Sequence, residues 1–156
     1  MQIYTLCFLK KENEILLLNR QKNPWMGRWN GVGGKIEVGE TPLECALREI
    51  KEETDISLDH AHYGGQMDWY EDGALRGGLE LYLAELPADF HYLTPKGTRE
   101  GILDFKKIDW IFAEKNQGMP DNIPFILNHL LTSPDKQYFS CFFESGALQK
   151  VIKVEK

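Results

Sequence analysis

Cysteine is scarce in this chain, and what there is does not pair. Cys7, Cys45 and Cys141 lie far apart in a sequence of 156 residues. No two of them have metal-ligand spacing, and an odd number is a poor disulfide framework. Packed thiols in a reducing compartment are expected. Long apolar runs are also missing, since no stretch approaches the roughly 20 residues that a membrane-spanning helix needs. The first residues, Met1-Gln2-Ile3-Tyr4-Thr5, carry no basic segment followed by an apolar one, as a secretory leader would. A soluble cytoplasmic protein with no membrane partner is the expectation. Positive charge is not in excess either. A net charge of -6 argues against a nucleic-acid polymer as partner, which needs a broad basic face. A small nucleotide stays compatible, because a few local cations and a metal offset phosphate charge. Nothing in the pattern specifies an oligomeric state.

What the chain does contain is enough apolar residue, 42%, to build a core, and a length suited to one domain over residues 1–156. Ile3 to Leu9 and Glu14 to Asn19 read as paired strands about a turn at Lys10 to Asn13. A loop with Pro24, Trp25, Gly27 and Trp29 leads into a glycine cluster at Gly31, Gly33, Gly34 and Gly39. A helix then starts sharply. Thr41 suits the N-cap, Pro42 the first helical position, and Glu44 completes a capping box. Leu43, Ala46, Leu47, Ile50 and Thr54 recur at helical spacing as its buried stripe. Tyr63 to Tyr70 and Leu79 to Leu86 suggest a hairpin across a loop ending Arg76-Gly77-Gly78. Phe105 to Phe112 reads as a strand and Ile123 to Leu131 as a second helix. Lys136 to Glu144 and Ala147 to Val154 flank a turn at Ser145-Gly146. Strands interleaved with two helices predict an α/β (α+β) protein, a mixed β-sheet in an α/β/α sandwich.

The first helix carries the chemistry. At about 100° per residue, Glu49, Glu52 and Glu53 share the face opposite the apolar stripe. Arg48 is placed to relieve their repulsion by pairing with Glu44 or Glu52. A solvated acidic face is the plain alternative to a functional one. Hard divalent cations such as magnesium take a few carboxylates plus substrate phosphates. Cys45 lies near this face one turn earlier and reads as packing, without nucleophilic activation.

The order of residues from Gly34 onward decides between the two. Gly34 is followed after five residues by Glu40, and after seven more by Arg48-Glu49-Ile50-Lys51-Glu52-Glu53-Thr54-Asp55-Ile56. This resembles the Nudix signature, G-x5-E-x7-R-E-U-x-E-E-x-G-U, with U a bulky aliphatic residue. Every specified position agrees except Asp55, which stands where the family has glycine. That glycine follows a helix, where left-handed backbone is usual. Asp tolerates this conformation better than most residues, so the change should touch stability or loop angle more than chemistry.

The resemblance continues outside that segment. Arg28-Trp29-Asn30-Gly31-Val32-Gly33-Gly34-Lys35 is similar to the matching stretch of MutT-type members, which hydrolyse oxidised purine nucleoside triphosphates. Tyr4-Thr5-Leu6, Gly65-Gln66 and Met119-Pro120-Asp121 fit the same subgroup. It implies the Nudix fold, with Mg2+ (or Mn2+) held by Glu49, Glu52, Glu53 and Glu100 together with Gly33. Arg48 would belong to the catalytic group, and Glu53 or Glu100 would accept the proton of the attacking water. Thr5 and Asn30 would meet a small-molecule nucleotide, with Asp121 and Asn122 on the other side of the base. Arg20 and Lys35 lie near the expected phosphate region. Each also has a bland explanation: Asn30-Gly31 as a turn dipeptide, Asp121 or Asn122 as a helix cap, Glu100 as a solvated loop acid. The subgroup has two acidic residues where this chain has Asp121-Asn122. Met119 stands where the animal enzymes place a stacking tryptophan, which leaves Trp69 and Trp25 as candidates for that role.

The implied activity is hydrolysis of a phosphoric anhydride, giving a nucleoside monophosphate and pyrophosphate. Alternatives are another nucleoside diphosphate-linked substrate and a non-catalytic nucleotide-binding module. An isoprenoid diphosphate isomerase is disfavoured, because no matching catalytic cysteine motif is present. The binding module is disfavoured because every signature glutamate is kept.

Overall fold

The computed structural model of the protein describes residues 2–22 and 26–155. Trp25, one of the stacking candidates, lies outside the described residues. Strands β1 (Gln2–Lys11), β2 (Glu14–Arg20) and β3 (Trp29–Asn30) precede helix α1 (Pro42–Thr54). Then come β4 (His62–Glu71), β5 (Ala74–Glu85), β6 (Lys96–Gly97), β7 (Gly101–Lys107) and the short helix α2 (Ile108–Ile111). Helix α3 (Ile123–Thr132) and the pair β8 (Gln137–Glu144) and β9 (Ala147–Val154) complete the order.

All the strands join one sheet in the order β6-β7-β2-β1-β5-β4-β8-β9, with β3 attached to β2. The pairs β1·β5 and β4·β8 are parallel and the others antiparallel, so the sheet is mixed. Alternation along the central strands feeds two cores. Leu6, Phe8, Ile15 and Leu17 join Ile123, Ile126, Leu127 and Leu130 of α3 on one face. Cys7, Leu9, Leu16 and Leu18 join Ala46 and Ile50 of α1 on the other. This explains why β1 and β2 read as continuous apolar runs: both of their faces are covered. The expected α/β/α sandwich is the observed architecture. Among the described residues no helix is long and apolar enough to cross a membrane.

Helix α1 begins where its capping chemistry dictates. Thr41 Oγ1 accepts from Glu44 N at 3.1 Å, and Thr41 N donates to Glu44 Oε1 at 2.9 Å. Cys45, Ala46, Ile50 and Thr54 are buried, while Leu43 and Leu47 pack at the edge of the core. The helix ends at Asp55 in the left-handed conformation, φ 64° and ψ 15°. Lys51 Nζ reaches Asp55 Oδ1 at 2.8 Å.

Two expected elements differ. The β4–β5 hairpin turns at Asp72-Gly73, and β5 runs straight through Arg76-Gly77-Gly78. Asp-Gly is itself a strong hairpin dipeptide. The later glycines serve the strand, since Gly77 lies beneath the ring of Trp69. The strand expected over Phe105–Phe112 instead starts at Gly101, stops at Lys107 and continues as α2. Lys107 pairs with Glu14, the first residue of β2, so residues beyond it have no ladder partner. Ile108 N bonds Asn13 O at 2.9 Å and turns the chain into α2.

The left-handed exit at residue 55 yields a stability prediction. Asp55→Gly removes the Cβ strain of that conformation and loses only an exposed ion pair. Thermal unfolding should show Tm unchanged or raised by up to about 3 °C, with little change in turnover. A large loss of turnover with the fold intact would give Asp55 a chemical role.

Candidate active site

Arg48 organises the acidic face of α1. Its Nε and Nη2 each donate to the Glu40 carboxylate at 2.8 Å, a two-pronged contact from the helix to the preceding turn. Glu37 N also donates to Glu40 Oε1, at 2.9 Å. The Arg48 bonds, with this one in support, hold the Glu40 carboxyl at about 2, well below its ordinary value. Arg48 Nη1 donates to Glu49 Oε1 at 2.9 Å and to Glu52 Oε2 at 3.2 Å. Nη2 also reaches the Lys35 carbonyl at 3.2 Å. Of the two expected partners of Arg48, Glu52 is confirmed. Glu44 is occupied by the capping box, and Glu40, eight residues back, takes the strongest contact.

Two of the signature carboxylates, Glu49 and Glu53, point inward. Glu49 packs against Gly34, where an added Cβ would come within 2.4 Å of its Oε1. Burial raises the Glu49 carboxyl above its usual range against the pull of Arg48. Glu53 Oε2 accepts from Gly33 N at 2.9 Å. Burial raises its carboxyl to about 8, with the charges of Glu49 and Glu100 adding to the effect. The Gly33 bond and the charge of Arg20 oppose that rise without cancelling it. Glu100 is exposed on a turn pinned by Thr98 Oγ1, which accepts from Glu100 N at 3.1 Å. Gln21 N holds the Glu100 carbonyl at 3.1 Å, and Gln21 Nε2 bonds that of Arg99.

Among the described residues no three acidic, histidine or cysteine side chains stand close enough together to hold a metal ion as they are. The donor set nevertheless suits a hard cation. It consists of carboxylate oxygens, those of Glu53 raised in pKa by burial and by the charges around it, beside a turn with no side chain in the way.

A pocket of about 390 Å³ adjoins this face. Of the expected substrate residues, Thr5, Arg20, Asn30, Trp69 and Asn122 line it, as does Gly33. Asn30 Oδ1 accepts from Gly31 N at 2.8 Å. Asn122 is buried, its Nδ2 directed at Met67 Sδ (3.5 Å) and Cys141 Sγ (3.8 Å) while its Oδ1 has no partner. It sits at the N-cap of α3 without a side-chain capping bond, so capping does not explain it.

Two expected substrate residues are not brought to the pocket. Lys35 is exposed and contributes its carbonyl to Arg48 and Cys45. Asp121 is exposed and faces Arg28 Nη1 at 3.5 Å. Met119 lies 1% exposed in the core below α3, which removes it from any stacking role. Leu79 and Phe143 line the pocket and were not read from sequence. Their signal was the inward phase of β5 and β8, which singles out no function. Cys45 is a packing residue as expected, its thiol pushed up to about 11 by burial.

The profile described as NUDIX domain matches residues 2–116. The chain is 37% identical over 68 residues to the oxidized purine nucleoside triphosphate hydrolase of Mus musculus, covering 44% of each protein. It is 48% identical over 48 residues to an ADP-ribose pyrophosphatase of Methanocaldococcus jannaschii, covering 31% of this chain and 28% of that one. The chain thus matches less than half the length of these curated relatives. A crystal structure of a MutT protein from Bacillus halodurans superposes with a TM-score of 0.78 at 26% identity, covering 98% of this chain and 97% of that one. A profile match over most of the sequence, spanning the turn and helix that Arg48 ties together, shows that the chain belongs to the Nudix family.

Proposed function

We infer that the protein is a divalent-metal-dependent Nudix hydrolase. Its proposed substrates are purine nucleoside triphosphates, oxidised purines preferred, and its products a nucleoside monophosphate and pyrophosphate. One observation carries this reading: the pocket and the carboxylate face meet at shared residues. Gly33 lines the pocket while its N–H holds Glu53, and Arg20 lines the pocket while its charge acts on Glu53. A nucleotide with its base in the pocket therefore has its phosphates beside the acidic helix. Partial identity to the mouse enzyme supports the choice of substrate class.

In this reading Glu49, Glu52, Glu53 and Glu100 hold magnesium, which when bound neutralises charge on the phosphoryl oxygens. Arg48 keeps the helix face fixed against the Glu40 turn. Arg20 offsets phosphate charge at the pocket mouth. Ionised Glu53 takes the proton of a water whose oxygen attacks phosphorus, and the bond to the leaving pyrophosphate breaks. Glu100 is the second acceptor for that proton. Asn30 meets the base edge with its amide, and Trp69 offers an aromatic wall. The identity to the ADP-ribose pyrophosphatase favours a second reading, in which the diphosphate links two nucleoside-like groups. Release of a sugar phosphate in place of pyrophosphate would mark it.

Two outcomes follow. Turnover should require magnesium or manganese, and Glu52→Gln or Glu53→Gln should lower it at least ~100-fold, about 2.7 kcal/mol of barrier. Full activity in chelator, or near-wild-type turnover in both variants, would remove the metal assignment. In competitive hydrolysis, the oxidised deoxyguanosine triphosphate should be preferred over the normal one by roughly ten-fold or more, the effect of one well-placed polar contact. Asn30→Ala should erode that preference. Asp121→Ala should leave it, because that carboxylate faces Arg28 outside the pocket. Equal use of the two triphosphates would end the oxidised-base reading and leave the broader hydrolase.

A further inference from the structure

Glycine inside a strand weakens it, having no side chain to pack and more freedom to lose, and it often marks a close approach. Strand β5 keeps one at Gly77, directly across the antiparallel ladder from Trp69 of β4. A Cβ at Gly77 would lie 2.4 Å from Trp69 Cη2, 2.8 Å from Cζ3 and 2.9 Å from Cζ2. The tip of the indole therefore rests on bare backbone. The ring reaches on toward Tyr4 of β1, at 6.2 Å between centroids. Tyr4, Trp69 and Leu79 all line the pocket. Of the two tryptophans suggested for stacking, Trp69 is the one among the described residues, and Met119, which stands where animal enzymes place a tryptophan, is shut in the core.

The geometry points to Gly77 as a specificity-determining residue that sets the height of Trp69, on which the planar ring of the substrate stacks. This rests on the proposed nucleotide reading of the pocket. A side chain at residue 77 lifts the indole off the sheet and into the space the ring would occupy. The two positions therefore act as one device: Gly77 has no effect on binding except through Trp69. Covering a strand glycine with an aromatic ring also stabilises a sheet. That structural service predicts lower Tm on substitution, but no coupled effect on ligand.

The test is calorimetric titration of deoxyguanosine monophosphate into wild type, Gly77→Ala, Trp69→Leu and the double variant. The Trp69 indole N–H resonance is followed in parallel with purine and pyrimidine monophosphates. Tm and Mn2+ affinity report on the fold and the carboxylate face. Each single variant should weaken the purine nucleotide about ten-fold or more, the scale of one stacked base, with Mn2+ affinity unchanged. The double variant should bind no more weakly than Trp69→Leu alone. Wild-type affinity in either single variant, or losses that multiply in the double, would overturn the proposal. If pyrimidine but not purine nucleotides shift the indole resonance, the purine reading fails and the Trp69 floor stands. If none shifts it, the floor is refuted, whatever the outcome for metal-dependent hydrolysis.

Discussion

Coulombic crowding at one helix face is the constraint on which the rest of the site depends. Glu49, Glu52 and Glu53 follow within two turns of α1, and Glu40 is brought up against them by the preceding turn. Arg48 is the cation held among them, bonded to Glu40, Glu49 and Glu52. Its two-pronged contact with Glu40 spans the turn between the glycine cluster and the helix. Gly33 and Gly34 lie beside Glu53 and Glu49. Glu53 lies beyond the reach of these bonds, and burial, with the charges of Glu49 and Glu100 adding to it, raises its carboxyl to about 8. A face arranged in this way has a standing demand for further positive charge.

The fold sets a pocket beside that face. Because β1 and β2 bury both of their faces, α1 and α3 sit on opposite sides of the sheet. The glycine turn runs antiparallel beside β1, with Thr5 N bonded to Gly34 O at 2.8 Å and Cys7 N to Val32 O at 2.6 Å. The pocket opens on the α3 side, floored by strand residues, and Gly33 forms part of its wall. Carboxylates borne on one helix therefore adjoin a pocket formed largely against the other layer.

What was legible in the sequence was local or was carried by the family pattern. The start of α1 could be placed to the residue because Thr41, Pro42 and Glu44 act within one turn. The left-handed exit at Asp55 followed from the position of a family glycine. Contacts that need distant chain segments were not legible. Helical spacing offers Arg48 partners three or four residues away, whereas its strongest partner is Glu40, reached by the fold of the turn. Gly77 looked like loop punctuation because the ring resting on it comes from another strand. Asp121 was assigned by alignment to a pattern, whereas its carboxylate is exposed and faces Arg28. Met119, which stands where that pattern has tryptophan, is buried in the core. The unpartnered Oδ1 of Asn122 leaves no mark in sequence, since an asparagine at a helix start looks like a cap.

The central claim is that a cation takes the place of a proton on a crowded carboxylate face, and metal binding tests it most directly. Carboxylates must be deprotonated to act as ligands, so binding a metal releases whatever protons they carry. Calorimetric titration of Mn2+ at pH 7, in two buffers of different ionisation enthalpy, counts those protons. With its pKa raised to about 8, the Glu53 carboxyl carries a proton in most metal-free molecules at that pH. The account predicts release of about one proton per protein on binding, vanishing well above that pKa and absent in Glu53→Gln. Tight Mn2+ binding with no proton release at pH 7, or an undiminished release from Glu53→Gln, would contradict it.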